Sequence, residues 1–320
     1  MSKRHPFRFG VINEQMKAPA AWFDHVRRVE ALGYSTLLLR DHFVPDFFGD
    51  QYAPLVALMA AASVTTTLRL GTMVIDNDYR HPVMLAKEAA TLDCFSGGRF
   101  ELGIGAGWLR TEYEQAGLPF DRAGVRIDRL EESIRVLKGL WAEEPVTFAG
   151  QHYQVTGLTG VPKPLQRPHP PLLIGGGKER MLKLAGREAD IVGILTSDVS
   201  SGTLISDIRE RMAAAVQQKI DWIRQGAGVR FEQIELSLIP TITFTDNRRN
   251  YIETFIHQQS WDVTVEDVLQ MPSMLIGSIE EMVRDLKTRR ETYGFSYYVV
   301  ADDQMEAFAP VVAHLSETHT

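Results

Sequence analysis

Apolar residues recur along the chain in two alternating rhythms. Short runs that are continuously apolar, or apolar at every second position, fall at residues 7–13, 36–39, 69–75, 100–105, 172–174, 191–195, 234–244 and 297–301, and each reads as a strand. Between them lie runs of helical spacing at 19–32, 54–64, 82–94, 124–141, 179–187, 203–225 and 278–292, with a last short one at 308–315. Pro19 and Pro82 stand where helices begin, and Gly33 stands where one ends. Residues 146–155, with Ala149 and Gly150 at their centre, read as a hairpin. Eight strand-then-helix units in 320 residues predict an α/β chain folded as a closed (β/α)8 TIM barrel. One domain spanning 1–320 is expected, with excursions at about 109–121, 142–171 and 246–276. A doubly wound sheet is the alternative, and it requires the strand after the hairpin to open a second domain.

Barrels of this kind carry their sites at the C-terminal ends of the strands. Here those ends are Asn13-Glu14, Asp41-His42, Asp76-Asn77, Ala106-Gly107-Trp108, Gly176-Gly177-Lys178, Thr196-Ser197 and residues 243–246, all polar or glycine-rich. In Gly98-Arg-Phe-Glu-Leu-Gly-Ile-Gly-Ala-Gly-Trp108 the alternate glycines leave one strand face bare. Either a flat ligand lies against that face, or neighbouring side chains pack into it. The spacing is not that of a dinucleotide fingerprint, and no helical run follows at once.

A net charge of -7 argues against nucleic acid or an anionic membrane as partner, so an anionic ligand must be held locally. The lone Cys94 excludes an internal disulfide and a thiolate cluster, and no histidine pair has metal-ligand spacing, so no metal site is expected. Neither a signal-like start nor a run of membrane-spanning length is present, and a cytoplasmic location is expected. His81, just ahead of Pro82, reads as a structural residue at a helix start.

An ordered set of motifs then resembles the luciferase-like barrel oxidoreductases, which bind a flavin or the deazaflavin coenzyme F420. The carrying residues are Arg40-Asp-His-Phe43, Leu70-Gly-Thr-Met-Val74, Leu92 through Trp108, Glu112-Tyr113, Arg129-Leu-Glu-Glu132 and Ile174-Gly-Gly-Gly177. The resemblance implies that Asp41 contacts the cofactor ring and that His42 sits beside its reactive carbon. It implies a bulge with a non-prolyl cis peptide at Met73-Val74, and a phosphate cradle at Gly176, Gly177 and Thr196, with Lys178 adding charge. Ala106, Gly107 and Trp108 would border the same cofactor. Adjacent strand positions point to opposite sides, so Asp41 cannot orient His42. Separate roles are expected, with His42 or Glu14 supplying the proton.

Two departures bear on chemistry. Ala106 stands where the flavin branch tends to carry a phosphate-binding arginine, which favours the deazaflavin and leaves flavin mononucleotide (FMN) as the alternative. Trp108 and Asp46 replace the carboxylate and the tryptophan of the deazaflavin sugar-phosphate dehydrogenases, which argues against sugar-phosphate oxidation. The expectation is hydride transfer between the deazaflavin and a small, less polar organic substrate, such as reduction of an activated C=C or C=N bond; an FMN-dependent monooxygenase is the alternative. The resemblance further implies a homodimer, to which Leu55, Leu58 and Met59 would contribute a face.

Overall fold

Eight parallel strands close on themselves in a computed structural model that describes residues 5–45 and 48–316. The first half runs β1 (Arg8–Asn13), α1 (Pro19–Ala31), β2 (Thr36–Leu39), α2 (Pro54–Ala62), β3 (Arg69–Thr72), β4 (Ile75–Asp76), α3 (Pro82–Phe95) and β5 (Phe100–Gly105). Helices α4 (Arg110–Ala116) and α5 (Ala123–Trp141) follow, then the antiparallel hairpin β6 (Val146–Ala149) and β7 (Gln154–Leu158). The second half continues with β8 (Leu172–Gly176), α6 (Glu179–Glu188), β9 (Ile191–Ile194), α7 (Ala213–Ala227), β10 (Glu235–Leu238) and β11 (Thr241–Phe244). It ends with α8 (Arg248–Gln259), α9 (Val265–Gln270), β12 (Met274–Gly277), α10 (Ile279–Tyr293), β13 (Phe295–Ala301) and α11 (Met305–Leu315).

The barrel order is β3, β2, β1, β13, β10, β9, β8, β5, and β5 closes it by pairing Phe100 with Leu70 of β3 and Ile104 with Ile75 of β4. The open two-domain sheet is thereby excluded. Inside the barrel a small apolar layer of Ile12, Leu38, Leu173, Ile191, Tyr297 and Val299 packs with Met73 and Val74. Beneath it, near the strand starts, lies a charged layer. Buried Glu101 accepts from Arg8 Nη1 at 2.6 Å and from Arg69 Nε, while Arg8 also pairs with Glu235 at 2.6 Å and lies 3.8 Å over the Tyr297 ring. The larger core sits between the barrel and its helices.

Three expectations need correction. The helix over 203–225 begins only at Ala213; before it, Asp198 and Ile205 form an antiparallel bridge, Gly202 takes φ 92°, and a single 3-10 turn spans Ile208–Arg211, capped by the Asp207 side chain. The apolar spacing of Leu204, Ile208 and Met212 imitated a helix. The strand over 234–244 is two strands, because Pro240 lacks the N–H that a continuing ladder needs; β10 stays in the barrel and β11 pairs with β12. The excursion at 109–121 contains a helix that ends where Gly117 adopts φ 70°. Of the residues expected on a self-association face, Leu58 is fully buried, Leu55 and Met59 are partly buried against the core, and Val56 beside them is exposed. Among the described residues no helix is long and apolar enough to cross a membrane.

Candidate active site

The strand ends open into a cavity of about 460 Å³. His42 lines it, together with Asp41, Met73, Val74, Ala106, Gly107, Trp108, Gly176, Gly177, Lys178 and Thr196. Glu14 does not. Its carboxylate receives a two-pronged hydrogen bond from Arg40, at 3.0 and 2.7 Å, and it is Arg40 that reaches the lining. Asp46 lies outside the described residues.

The bare face of β5 is filled by protein. The Met73-Val74 peptide is cis, in the break between β3 and β4. A Cβ on Gly103 would come within 1.9 Å of the Thr72 carbonyl oxygen, and one on Gly105 within 2.8 Å of Val74 Cγ2. The glycines therefore admit a neighbouring segment, and Val74 presents its side chain to the cavity in their place. Open backbone lies instead at Gly175 and Gly193, which pair in register on β8 and β9. A Cβ there would meet nothing closer than 3.9 and 3.7 Å respectively, so a flat group can approach the main chain.

His42 and Asp41, adjacent in sequence, have separate partners. His42 Nδ1 lies 2.9 Å from Glu112 Oε2, and the same carboxylate accepts from the Phe43 and Val44 N–H groups and from the Tyr79 hydroxyl. Burial pushes the Glu112 carboxyl up, but the His42 contact and these backbone donors prevail and hold it below the usual carboxylate range. An ionised carboxylate only accepts, so Nδ1 carries the hydrogen and Nε2 is the nitrogen left for proton exchange. Phe48 and Trp108 flank the imidazole at ring-centroid distances of 5.0 and 5.8 Å, giving it an aromatic wall. His81 caps α3, its Nδ1 accepting from Val83 N–H at 3.2 Å.

Asp41 pairs with Arg80 at 2.6 Å and accepts from the Asp76 N–H at 3.2 Å. Asp76 also borders the cavity and accepts from the Tyr113 hydroxyl at 3.0 and 2.9 Å. Burial foremost, then the nearby charges of Asp78 and Asp41, push its carboxyl up to about 7. Because the folded form keeps a proton that the unfolded chain releases near pH 4, stability contributed by this group falls as pH rises from about 4 to about 7. Asp76→Asn is therefore expected to melt above the wild type at pH 8, with the gain shrinking toward pH 4. Equal melting temperatures across that range would show that ionising Asp76 carries no penalty.

Positive charge at the rim is unevenly committed. Lys178 donates to Glu210 at 2.7 Å and pairs with Asp198 at 3.0 Å, which raise its pKa but offset its charge. Behind Ala106 and Gly107 lies Arg126, reaching from α5 to donate to both their carbonyls at 3.2 and 3.3 Å. A guanidinium thus borders the loop in which position 106 supplies none. Sequence reading assigned no role to Phe48, Glu112, Asp76 or Arg126. Glu112 was visible as part of a motif, but its partner lies 70 positions away.

Comparison with known proteins follows the same lines. An F420-dependent glucose-6-phosphate dehydrogenase of Kineococcus radiotolerans is 36% identical over 205 residues, covering 62% of this chain and 60% of that protein. An FMNH(2)-dependent dimethylsulfone monooxygenase of Pseudomonas putida is 29% identical over 212 residues, covering 64% and 58%. The matched part thus spans about three fifths of each of these relatives. A solved F420-dependent secondary alcohol dehydrogenase, in complex with an F420-acetone adduct, shares the fold with a TM-score of 0.75 at 18% identity, covering 97% of this chain and 99% of that one. The model of the luciferase-like monooxygenase family matches residues 4–261, most of the chain, and the chain belongs to that family.

Proposed function

We propose that the protein is a deazaflavin-dependent oxidoreductase in which His42 handles the proton that accompanies hydride transfer to a small organic substrate, reducing an activated C=C or C=N bond. The observation that carries this reading is the His42–Glu112 pair set into an aromatic wall of the cavity. A bound deazaflavin supplies a two-electron hydride donor. The residues fit such a group: Gly175 and Gly193 leave open backbone for a flat ring, while Gly176, Gly177 and Thr196 offer main-chain and hydroxyl groups to a phosphate. Glu112 fixes the imidazole, Phe48 and Trp108 exclude water beside it, and Nε2 exchanges the proton. Asp41 is expected to hold the cofactor ring while staying anchored by Arg80.

Arg126 favours a second reading, an FMN-dependent monooxygenase, since its guanidinium stands behind the loop where a flavin phosphate would need a cation. Fluorescence titration of the purified protein with coenzyme F420 and with FMN separates the two. Tighter binding of the deazaflavin is expected, and equal or tighter binding of FMN overturns the assignment in favour of the second reading.

A further inference from the structure

Among the described residues four basic side chains line the cavity besides His42, and three of them are accounted for. Arg40 is held by Glu14, Lys178 by Glu210 and Asp198, and the three nitrogens of Arg126 donate to the carbonyls of Ala106, Gly107 and Asp121. The fourth is Arg211, at the end of the 3-10 turn after β9. Among the described residues it has no carboxylate within ion-pair distance. Its Nη1 donates to the Thr241 hydroxyl at 3.1 Å and lies 3.7 Å from Met274 Sδ, while its Nε is enclosed with no partner. Burial lowers its affinity for its proton, as expected of a guanidinium with no compensating anion. The adjacent Glu210 is turned away, to Lys178 and Lys219.

A half-buried charge whose enclosed Nε has no partner is poorly compensated, and a guanidinium presents a planar fork suited to carboxylate or phosphate oxygens. Arg211 and Thr241 follow β9 and β10, which stand four and three strands round the barrel from β2, the strand that His42 follows, and the apolar side chains of Leu204 and Ile239 line the same cavity. We propose that Arg211, with Thr241, is an anion-recognition point for the substrate, selecting a molecule with an apolar body and a terminal carboxylate or phosphate. The assignment to substrate rests on the reading above, in which the cofactor's own phosphate is held at Gly176, Gly177 and Thr196.

The test is calorimetric titration with inorganic phosphate and with acetate, on the protein alone and on protein saturated with coenzyme F420, for the wild type, Arg211→Met and Arg211→Lys. With the cofactor present, the wild type is expected to bind phosphate and Arg211→Met to bind it at least about tenfold more weakly, the loss of a charge-assisted contact. Arg211→Lys should fall between them, because it keeps the charge and loses the fork. Cofactor affinity, read from deazaflavin fluorescence, should be unchanged in both variants, and Arg211→Met should melt no lower than the wild type, since it removes a half-buried charge that has no carboxylate beside it. Undiminished phosphate and acetate binding in Arg211→Met overturns the proposal. A comparable loss of cofactor affinity also overturns it, by giving Arg211 to the cofactor's phosphate. If the wild type takes up no deazaflavin, the cofactor reading fails by itself; loss of phosphate binding in Arg211→Met on the protein alone then still supports the anion site, and unchanged binding sinks it. Should Arg211→Met melt early, Arg211→Lys decides by the same comparison.

Discussion

His42→Ala is expected to slow turnover by about 10² to 10⁴ while leaving cofactor binding close to that of the wild type, the signature of a lost acid-base group rather than of lost affinity. The geometry makes the expectation specific. Glu112 holds Nδ1, so Nε2 is the nitrogen left to exchange a proton in the proposed role, with the rings of Phe48 and Trp108 flanking it. Asp41→Ala should do the converse. Losing a charged hydrogen-bonding partner costs about 1.5 to 3 kcal/mol, so cofactor affinity should drop by tenfold or more. The release of Arg80 from its pair adds to that loss. Paired measurements on the two variants, affinity by deazaflavin fluorescence and rate by its bleaching or recovery with substrate, separate the roles. Full turnover in His42→Ala would reduce the imidazole to a wall of the cavity. Glu14 would then become the next candidate, although its carboxylate is bound to Arg40.

At the opposite end of the barrel, Glu101→Ala is expected to lower stability by up to about 3 to 5 kcal/mol, because it takes from Arg69 its carboxylate and leaves Arg8 with Glu235 alone. That is a large share of the about 5 to 15 kcal/mol typical of a folded domain. Burial pushes the Glu101 carboxyl up, but Arg8 and Arg69 prevail and hold it below the usual range. Its stabilisation is therefore present above the ordinary glutamate pKa near 4.3 and is lost as pH falls through the lower folded value. Urea unfolding at pH 7 and at successively lower pH should show a wild-type midpoint that drops in acid and a Glu101→Gln midpoint that starts lower and drops less. An unaltered midpoint at pH 7 would mean that the charged layer contributes nothing to the fold. The folded fraction of Glu101→Gln should retain cofactor binding, since this layer lies at the strand starts and the cavity at the strand ends.

Much of this architecture was legible because strand alternation and helix punctuation are local signals. Phe100, Leu102 and Ile104 announced β5, and the polar strand ends announced the rim of the cavity. Distance in sequence hid the rest. Glu101 read only as the polar member of an alternation, although its partners start other strands of the barrel. Arg211 was concealed in a run whose apolar spacing imitated a helix, until Gly202 and the Asp207 cap broke it up. The break between β10 and β11 was marked by Pro240, yet continuous apolar character on both sides outweighed that one residue. Phe48 and Trp108 lie 60 positions apart, and no periodicity links them.

The tight fit of the β3–β4 connection against β5 also limits how this barrel can be recombined. With the Thr72 carbonyl where a Cβ on Gly103 would stand, and Val74 against Gly105, the two segments form one hereditary unit. A chimera that imports β5 from a barrel with side chains at those positions must import residues 72–74 with it, or the donor strand will push Val74 out of the cavity wall. Grafting a new substrate preference onto this scaffold is accordingly open through the loops after β9 and β10, and closed through this pair of strands.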